Sequence, residues 1–219
     1  MKVELNIPDD LSEIRLEQYQ KYYKLVKDQE PSDFIDQKTL EIFCDIDLRD
    51  TVNIAYKDVK EVLTAINDIF KGNHKLIQRF TLAGVEFGLH PDIENMNWDE
   101  YADSNLYHDV HEWHRLMAIF YRPITQRKGD KYMIEDYQGT DKFAEVMKHA
   151  PLDVVFGLQV FFYNLLKELA IDLADYSTEI LKGEMNLQPN LNLLISGDGI
   201  RAYTDLHKGM YFGLMLSEN

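Results

Sequence analysis

The chain has 219 residues, of which 45% are hydrophobic, and its formal net charge is −15 at pH 7. This length is enough for one large domain or two small ones, and the hydrophobic fraction excludes a disordered chain. Because the negative charge repels phosphate groups, we expect neither nucleic acid nor an anionic membrane surface as a partner.

The cysteine content and the length of the apolar runs indicate the cellular compartment in which the protein is expected. Cys44 is the only cysteine, so an internal disulfide and a cysteine-based zinc site are both excluded. The N-terminal residues lack the apolar core of a signal peptide. The longest apolar runs, such as 152–162, are too short to span a bilayer. We therefore expect a soluble protein of the cytoplasm that does not insert into membranes.

The first 75 residues are predicted to be helical after one short strand. Alternating apolar and polar residues over 3–7 predict that strand. Apolar residues at helical spacing predict helices over 16–27 and 59–70. Ser32 is a suitable N-cap for a further helix that extends to residue 43.

A β-hairpin is predicted in the middle of the chain. Two β-rich runs, 76–82 and 85–89, flank the two-residue turn Ala83-Gly84. After this hairpin, Asn97 is a plausible N-cap for a short helix.

The following region is predicted to contain a helix, a second hairpin and another helix. Apolar residues at helical spacing run from residue 106 to 120, and Pro123 is expected to end that helix. Residues 124–127 and 131–134 flank a turn and predict the hairpin. Thr140 is predicted to cap a short helix that ends near residue 149.

The strongest helical pattern covers residues 154–181, and its first half is apolar on most faces, which is typical of a core helix. The predicted fold is therefore mainly α with two small β-hairpins (α+β), in a single helical globular domain with a C-terminal extension. Three parts are expected: an N-terminal helical region (1–75), a core of hairpins and helices (76–183), and an arm or appendage (184–219).

One cluster of side chains has the composition of a metal site. If His108, His111 and Glu112 lie on one helix, their spacing of i, i+3 and i+4 places them on one face, where they could bind zinc. The order His-Glu-x-His differs from the His-Glu-x-x-His of metalloproteases, and no fourth ligand is apparent. A solvated, histidine-rich helix face explains the cluster better, so no metal is predicted.

The sequence shows no other catalytic pattern. We find no nucleophile elbow and no phosphate-binding loop, so we expect a protein that is not an enzyme and uses no cofactor. Two polar segments, 121–124 and 136–140, lie at element ends and contain tyrosine and arginine, which suit either a structural role or an interface. We expect exposed aromatic residues near the hairpins and helix ends to be the contact residues.

Several short motifs resemble those of helical proteins encoded by tailed phages, in the same order and in proteins of similar length. They are FTLAGVEFG (80–88), Pro91-Asp92, Met96, Trp98, Glu100-Tyr101, WHRLMA (113–118), YRPI (121–124) and APLD (150–153). These phage proteins look like tail assembly chaperones, and the resemblance covers residue 16 to about residue 181. Ala83 departs from the family's usual Asn in the hairpin turn, and the arm carries no motif of the family.

The resemblance implies a function in phage assembly. A tail assembly chaperone coats the long, helix-prone tape-measure protein until tail-tube subunits replace it. The resemblance therefore implies a protein of the host cytoplasm, many copies of which bind one tape-measure protein. An acidic outer surface would keep such a complex soluble, and aromatic-rich helices would provide contact area. The alternatives are a virion structural protein of the neck, tail or capsid, and a metal-binding enzyme that uses His108, His111 and Glu112.

Overall fold

In the computed structural model of the protein, the backbone is described for residues 5–181 and the side chains for residues 5–171. The predicted fold class is confirmed, because the described residues form a mainly helical α+β fold with a four-stranded antiparallel sheet made of two hairpins. The predicted arm, 184–219, lies outside the described residues.

The described elements are short, apart from the last helix. The helices are α1 (Leu16–Val26), α2 (Asp33–Phe43), α3 (Leu48–Thr51), α4 (Tyr56–Phe70), α5 (Trp98–Ser104), α6 (Trp113–Phe120), α7 (Asp141–Met147) and α8 (Leu152–Leu181). The strands are β1 (Arg79–Leu82), β2 (Val85–Leu89), β3 (Tyr121–Lys128) and β4 (Lys131–Ile134).

The helices predicted in the N-terminal region are confirmed, and the side chain of Ser32 accepts a hydrogen bond from the Ile35 backbone N–H at the start of α2. The strand predicted over 3–7 is wrong for the described residues 5–7, which are irregular. A strand needs a neighbour to pair with, and period-two alternation over so few residues does not provide one.

Both predicted hairpins are confirmed, and they join in the sheet order β1-β2-β3-β4. Ala83 and Gly84 both have positive φ, 50° and 79°, as a type I′ turn requires. Strands β2 and β3 pair Gly88 with Arg122, so the polar segment 121–124 lies inside the sheet. A side chain at position 88 would collide with the Tyr132 ring of β4, because Gly88 lies beneath that ring.

The predicted helix over 106–120 is wrong in its first half. Asp109 accepts a hydrogen bond from the His111 backbone N–H at 2.8 Å and starts a 3-10 turn, Val110–Glu112, so α6 begins only at Trp113. The chain enters β3 at Tyr121, so Pro123 lies in a strand instead of ending a helix. The register of β3 against β4 shifts just after Pro123, between Ile124 and Gln126, and such bulges are among the strand positions where proline is tolerated.

The prediction that the Thr140 side chain caps a helix is also wrong. Helix α7 begins at Asp141, as the pattern predicts, but the Thr140 side chain makes no capping bond. Its hydroxyl accepts a hydrogen bond from Nη1 of Arg115 at 3.0 Å, and so connects α7 to α6.

The core lies where the first half of α8 meets α1, α4 and α6. Four aromatic rings, from Tyr19, Phe70, Trp113 and Phe156, pack there, with the Tyr19 and Phe156 ring centroids 5.1 Å apart. Gly157 of α8 allows close approach, since a Cβ at this position would collide with the Lys75 carbonyl oxygen. Buried side chains from both the N-terminal helices and the later elements form one cluster.

Candidate functional site

The three residues considered for a metal site do not lie on one helix face. His108 precedes the 3-10 turn, and His111 and Glu112 lie within it. The His111 ring is exposed and contacts the Tyr23 ring edge-on, with the centroids 5.7 Å apart. Among the described residues, no group of three or more His, Cys, Asp or Glu side chains is placed to hold a metal ion.

The structure joins motif residues from two distant segments in a buried ion pair. Oε1 of Glu100, on α5, lies 2.5 Å from Nη1 of Arg122, on β3, and each side chain is 4% exposed. The other oxygen, Oε2, accepts a hydrogen bond from the Asn97 backbone N–H at 2.8 Å. Nε2 of His90 lies 3.6 Å from the same oxygen. The Glu100 carboxylate therefore caps α5 and balances the charge of Arg122.

The second polar segment, 136–140, contributes Tyr137 to this cluster. The Arg122 guanidinium lies 5.4 Å from the centroid of the Tyr137 ring, a cation–π contact. The Tyr137 hydroxyl donates a hydrogen bond to Oδ2 of Asp103, on α5. Burial and the neighbouring Asp103 carboxylate raise the pKa of Tyr137, so its hydroxyl keeps its proton. Both polar segments thus meet at α5.

These contacts hold α5 in place. Helix α5 has seven residues, too few to be stable alone. Asn97 accepts a hydrogen bond from the Glu100 backbone N–H at 2.9 Å, which completes a capping box. Burial lowers the pKa of His90, which favours the neutral ring next to the ion pair. We call Glu100, Arg122, His90, Tyr137 and Asp103 the α5 clamp.

The outer side of α5 presents aromatic rings to solvent. Trp98 is 77% exposed and Tyr101 is 39% exposed, and their ring centroids are 6.0 Å apart. Tryptophan and tyrosine are enriched at protein interfaces, because each combines a large apolar ring with a polar group. The sequence predicts exposed aromatics at helix ends, and here the structure identifies two. We call Trp98, Tyr101 and the acidic residues beside them the Trp98 surface.

A second apolar surface lies on α8. Val155, Leu158 and Phe162 lie along one side of this helix and are buried in the core, as are Val154 and Phe156 on its other sides. At spacings of three or four residues the series continues through Leu165 and Leu169, which are 40% and 57% exposed. In the sequence the same spacing then recurs at Leu173, Tyr176 and Ile180. We call Val155, Leu158, Phe162, Leu165 and Leu169 the α8 stripe, and we call residues 163–181 the distal half of α8.

The first part of α8 also meets the length and composition of a membrane-spanning helix. The stretch Leu152–Ile171 is 20 residues long and apolar, and 39% of it is buried inside the protein. A core helix of a soluble protein passes the same test, and Leu152, Val155 and Leu158 are fully buried. The stretch is therefore weak evidence for a membrane.

Cys44 follows the apolar residues Ile42 and Phe43 in the sequence, which predict a buried thiol, and in the structure it is buried. Cys44 is 2% exposed, and desolvation raises its pKa to about 11. The thiol is therefore protonated at neutral pH and a poor nucleophile.

Comparison of the chain with protein-family models, with curated proteins and with solved structures finds no match in any of the three.

Proposed function

We propose that the protein is a phage assembly factor, a tail assembly chaperone that holds the helical tape-measure protein against the α8 stripe. The observation that carries this proposal is the exposure of Leu165 and Leu169 on a helix that continues past the core. The motif resemblance to phage proteins supplies the class of partner.

The α8 stripe has the form that recognition of a helix needs. An amphipathic helix docks through apolar anchors at i, i+3, i+4 and i+7, and the stripe offers residues at this spacing. Burying one leucine side chain contributes roughly 1.5–3 kcal/mol, but association itself costs free energy. One copy therefore binds weakly, and many copies along one long helix supply avidity.

The charge of the chain suits a soluble coat. With a net charge of −15, neighbouring copies repel one another outside the contact surface, which opposes aggregation of an otherwise apolar filament. Weak contacts also allow tail-tube subunits to displace the chaperone.

A virion structural protein is the second candidate, because a neighbouring subunit in a finished particle could cover the same stripe. Mass spectrometry of purified particles separates the two functions. A chaperone is absent from the finished particle, whereas a structural subunit is present in stoichiometric amounts.

The direct test is co-expression with the tape-measure protein of the phage that encodes the chain, followed by affinity purification. We expect the wild-type protein to co-purify with it, and the Leu165→Asp/Leu169→Asp variant to lose most of this binding. Ile171→Asp is the matched control, because Ile171 is 51% exposed on the same helix but lies about 120° from Leu165 and about 160° from Leu169 around the helix axis. Equal binding by all three proteins would falsify the proposal.

A further inference from the structure

The acidic residues of this chain are not evenly placed, and the Trp98 surface lies in a stretch without cations. Between Arg79 and Arg115 the sequence contains neither lysine nor arginine. The acidic residues in this stretch are Glu86, Asp92, Glu94, Asp99, Glu100, Asp103, Asp109 and Glu112. The sequence on both sides of Trp98 therefore carries an excess of negative charge.

Two of these carboxylates already have partners inside the protein. Glu100 pairs with Arg122, and Asp103 accepts the Tyr137 hydroxyl. Asp92, Glu94 and Asp99 are exposed and lie close to Trp98 in the sequence, and both carboxylate oxygens of Asp92 accept hydrogen bonds from the Asn95 side chain. None of the three forms an ion pair with a described residue. Their charge is available to a partner.

We infer that the Trp98 surface is a second docking site, and that it binds a segment of another protein in which lysine or arginine stands among apolar residues. A cation over an indole face is stabilised by the ring quadrupole, and tryptophan is the best of the aromatic residues for this contact. The apolar stem of the same side chain packs along the ring while the flanking carboxylates attract its charge. Charge complementarity therefore selects a basic, partly apolar partner.

The α5 clamp prepares this surface for binding. It fixes the helix from beneath, so the two rings need little further ordering when a partner arrives. Tyr56 provides an internal example of the same chemistry, because Nζ of Lys60 lies 5.4 Å from the centroid of its exposed ring. At Trp98 the ring and the carboxylates are present, and the cation must come from another molecule.

The probe is a synthetic 18-residue amphipathic peptide of leucine and lysine, compared with a peptide in which glutamine replaces every lysine. Trp98 reports its own contact, since the other tryptophan, Trp113, is 2% exposed and shielded from acrylamide. We expect the lysine peptide, but not the glutamine peptide, to protect the fluorescence of Trp98 from acrylamide quenching.

Affinity for the lysine peptide, measured by calorimetry at 0.15 M salt, provides the second readout. Trp98→Ala is expected to weaken binding by about tenfold, which is a cation–π contact of about 1.4 kcal/mol. Tyr56→Ala is the matched control, as an exposed aromatic residue that already has its own cation, and it should leave affinity unchanged. Binding that is equally tight in Trp98→Ala, or equal protection by the glutamine peptide, or no protection at all, overturns the inference.

The proposals for the α8 stripe and for the Trp98 surface can be tested independently of each other. The Leu165→Asp/Leu169→Asp variant loses the α8 stripe but keeps Trp98, so the lysine peptide is expected to protect Trp98 in this variant as in the wild type. Loss of protection in this variant would place the peptide on α8 and would also overturn the inference.

Discussion

Helices α5 and α8 both carry apolar side chains to the surface, but the protein holds them in different ways. Helix α8 has 30 residues, and the buried first half of its stripe fixes the half that projects. Helix α5 has seven residues, and a buried polar cluster holds it. A long helix can therefore rely on its own apolar continuation into the core, whereas a short one needs specific polar contacts.

This difference predicts that a substitution in the α5 clamp causes the largest loss of unfolding free energy. Arg122→Met removes the cation and leaves the Glu100 carboxylate buried without its partner, which should cost about 3–5 kcal/mol of unfolding free energy. Urea unfolding at pH 7.5, followed by circular dichroism, measures the loss.

Two variants sharpen this result. Arg115→Met removes an arginine whose ion-pair partner Asp141 is exposed, and it also removes the hydrogen bond to Thr140, so it should cost about 1–2 kcal/mol. Adding Glu100→Gln to Arg122→Met should recover part of the lost stability, because the uncompensated charge is gone. A cost for Arg122→Met no larger than that for Arg115→Met would show that α5 does not depend on the clamp.

The next effect compares two leucines of the same stripe. Leu158 is fully buried and Leu169 is exposed. Leu158→Ala should cost about 2–5 kcal/mol, because it removes apolar contacts and leaves a cavity. Leu169→Ala should change unfolding free energy by less than about 0.5 kcal/mol. Chemical denaturation of both variants tests whether only the first half of α8 belongs to the core. Similar losses of unfolding free energy in the two variants would mean that the distal half is packed in solution.

A smaller effect is expected at the first turn of α5. Asn97→Ala removes the oxygen that accepts the Glu100 backbone N–H, and it should cost about 1 kcal/mol. Ser32→Ala at α2 is the comparison, since its hydroxyl caps at a longer distance, 3.4 Å. Thermal unfolding of the two variants should show the larger loss for Asn97→Ala, and the reverse order would contradict the importance assigned to the start of α5.

The smallest effect expected is the dependence of stability on pH. Burial lowers the pKa values of His74, His90 and His114 below their usual 6.5, so the folded state favours the neutral rings. As pH falls below about 6.5, the unfolded state binds protons that the folded state does not, and stability decreases. The stabilisation that comes from keeping these three histidines neutral is fully present above pH 6.5, and it is lost as the pH falls towards their lowered pKa values in the folded state.

Urea midpoints at pH 7.5 and 5.5 measure this dependence, and His90→Gln should reduce it. Asp153 has the opposite sign, because burial raises its pKa and the folded state takes up that proton more readily. Its contribution belongs to lower pH, closer to the usual value of 3.8. A midpoint that stays constant or increases between pH 7.5 and 5.5 would contradict the role given to the histidines.

Local sequence determines much of the fold because its signals act over a few residues. Helical spacing predicts α1, α4 and α8, and Ser32 and Asn97 mark the starts of α2 and α5. The turn Ala83-Gly84 predicts the first hairpin, and the apolar neighbours of Cys44 predict its burial. Such features depend on backbone geometry and nearby side chains, so a single sequence contains them.

Local signals fail where a competing contact lies outside the sequence window. The spacing from residue 106 to 120 is helical, yet Asp109 starts a new turn, and pairing with β2 draws the chain into β3. The histidine cluster depends on that predicted helix, so its shared face is lost with it. Nothing near Arg122 indicates that its partner is Glu100, 22 positions earlier in the chain.

The sequence by itself determined the net charge, the helical character, both hairpins and the apolar stripe of α8. The tertiary structure alone decided which half of that stripe is buried and which side of α5 faces the clamp. The physical reason is that periodicity specifies which side of a helix is apolar, whereas burial requires other elements to arrive on that side. Leu165 and Leu169 are exposed, so the apolar spacing that builds the core in the first half of α8 becomes an exposed surface beyond it.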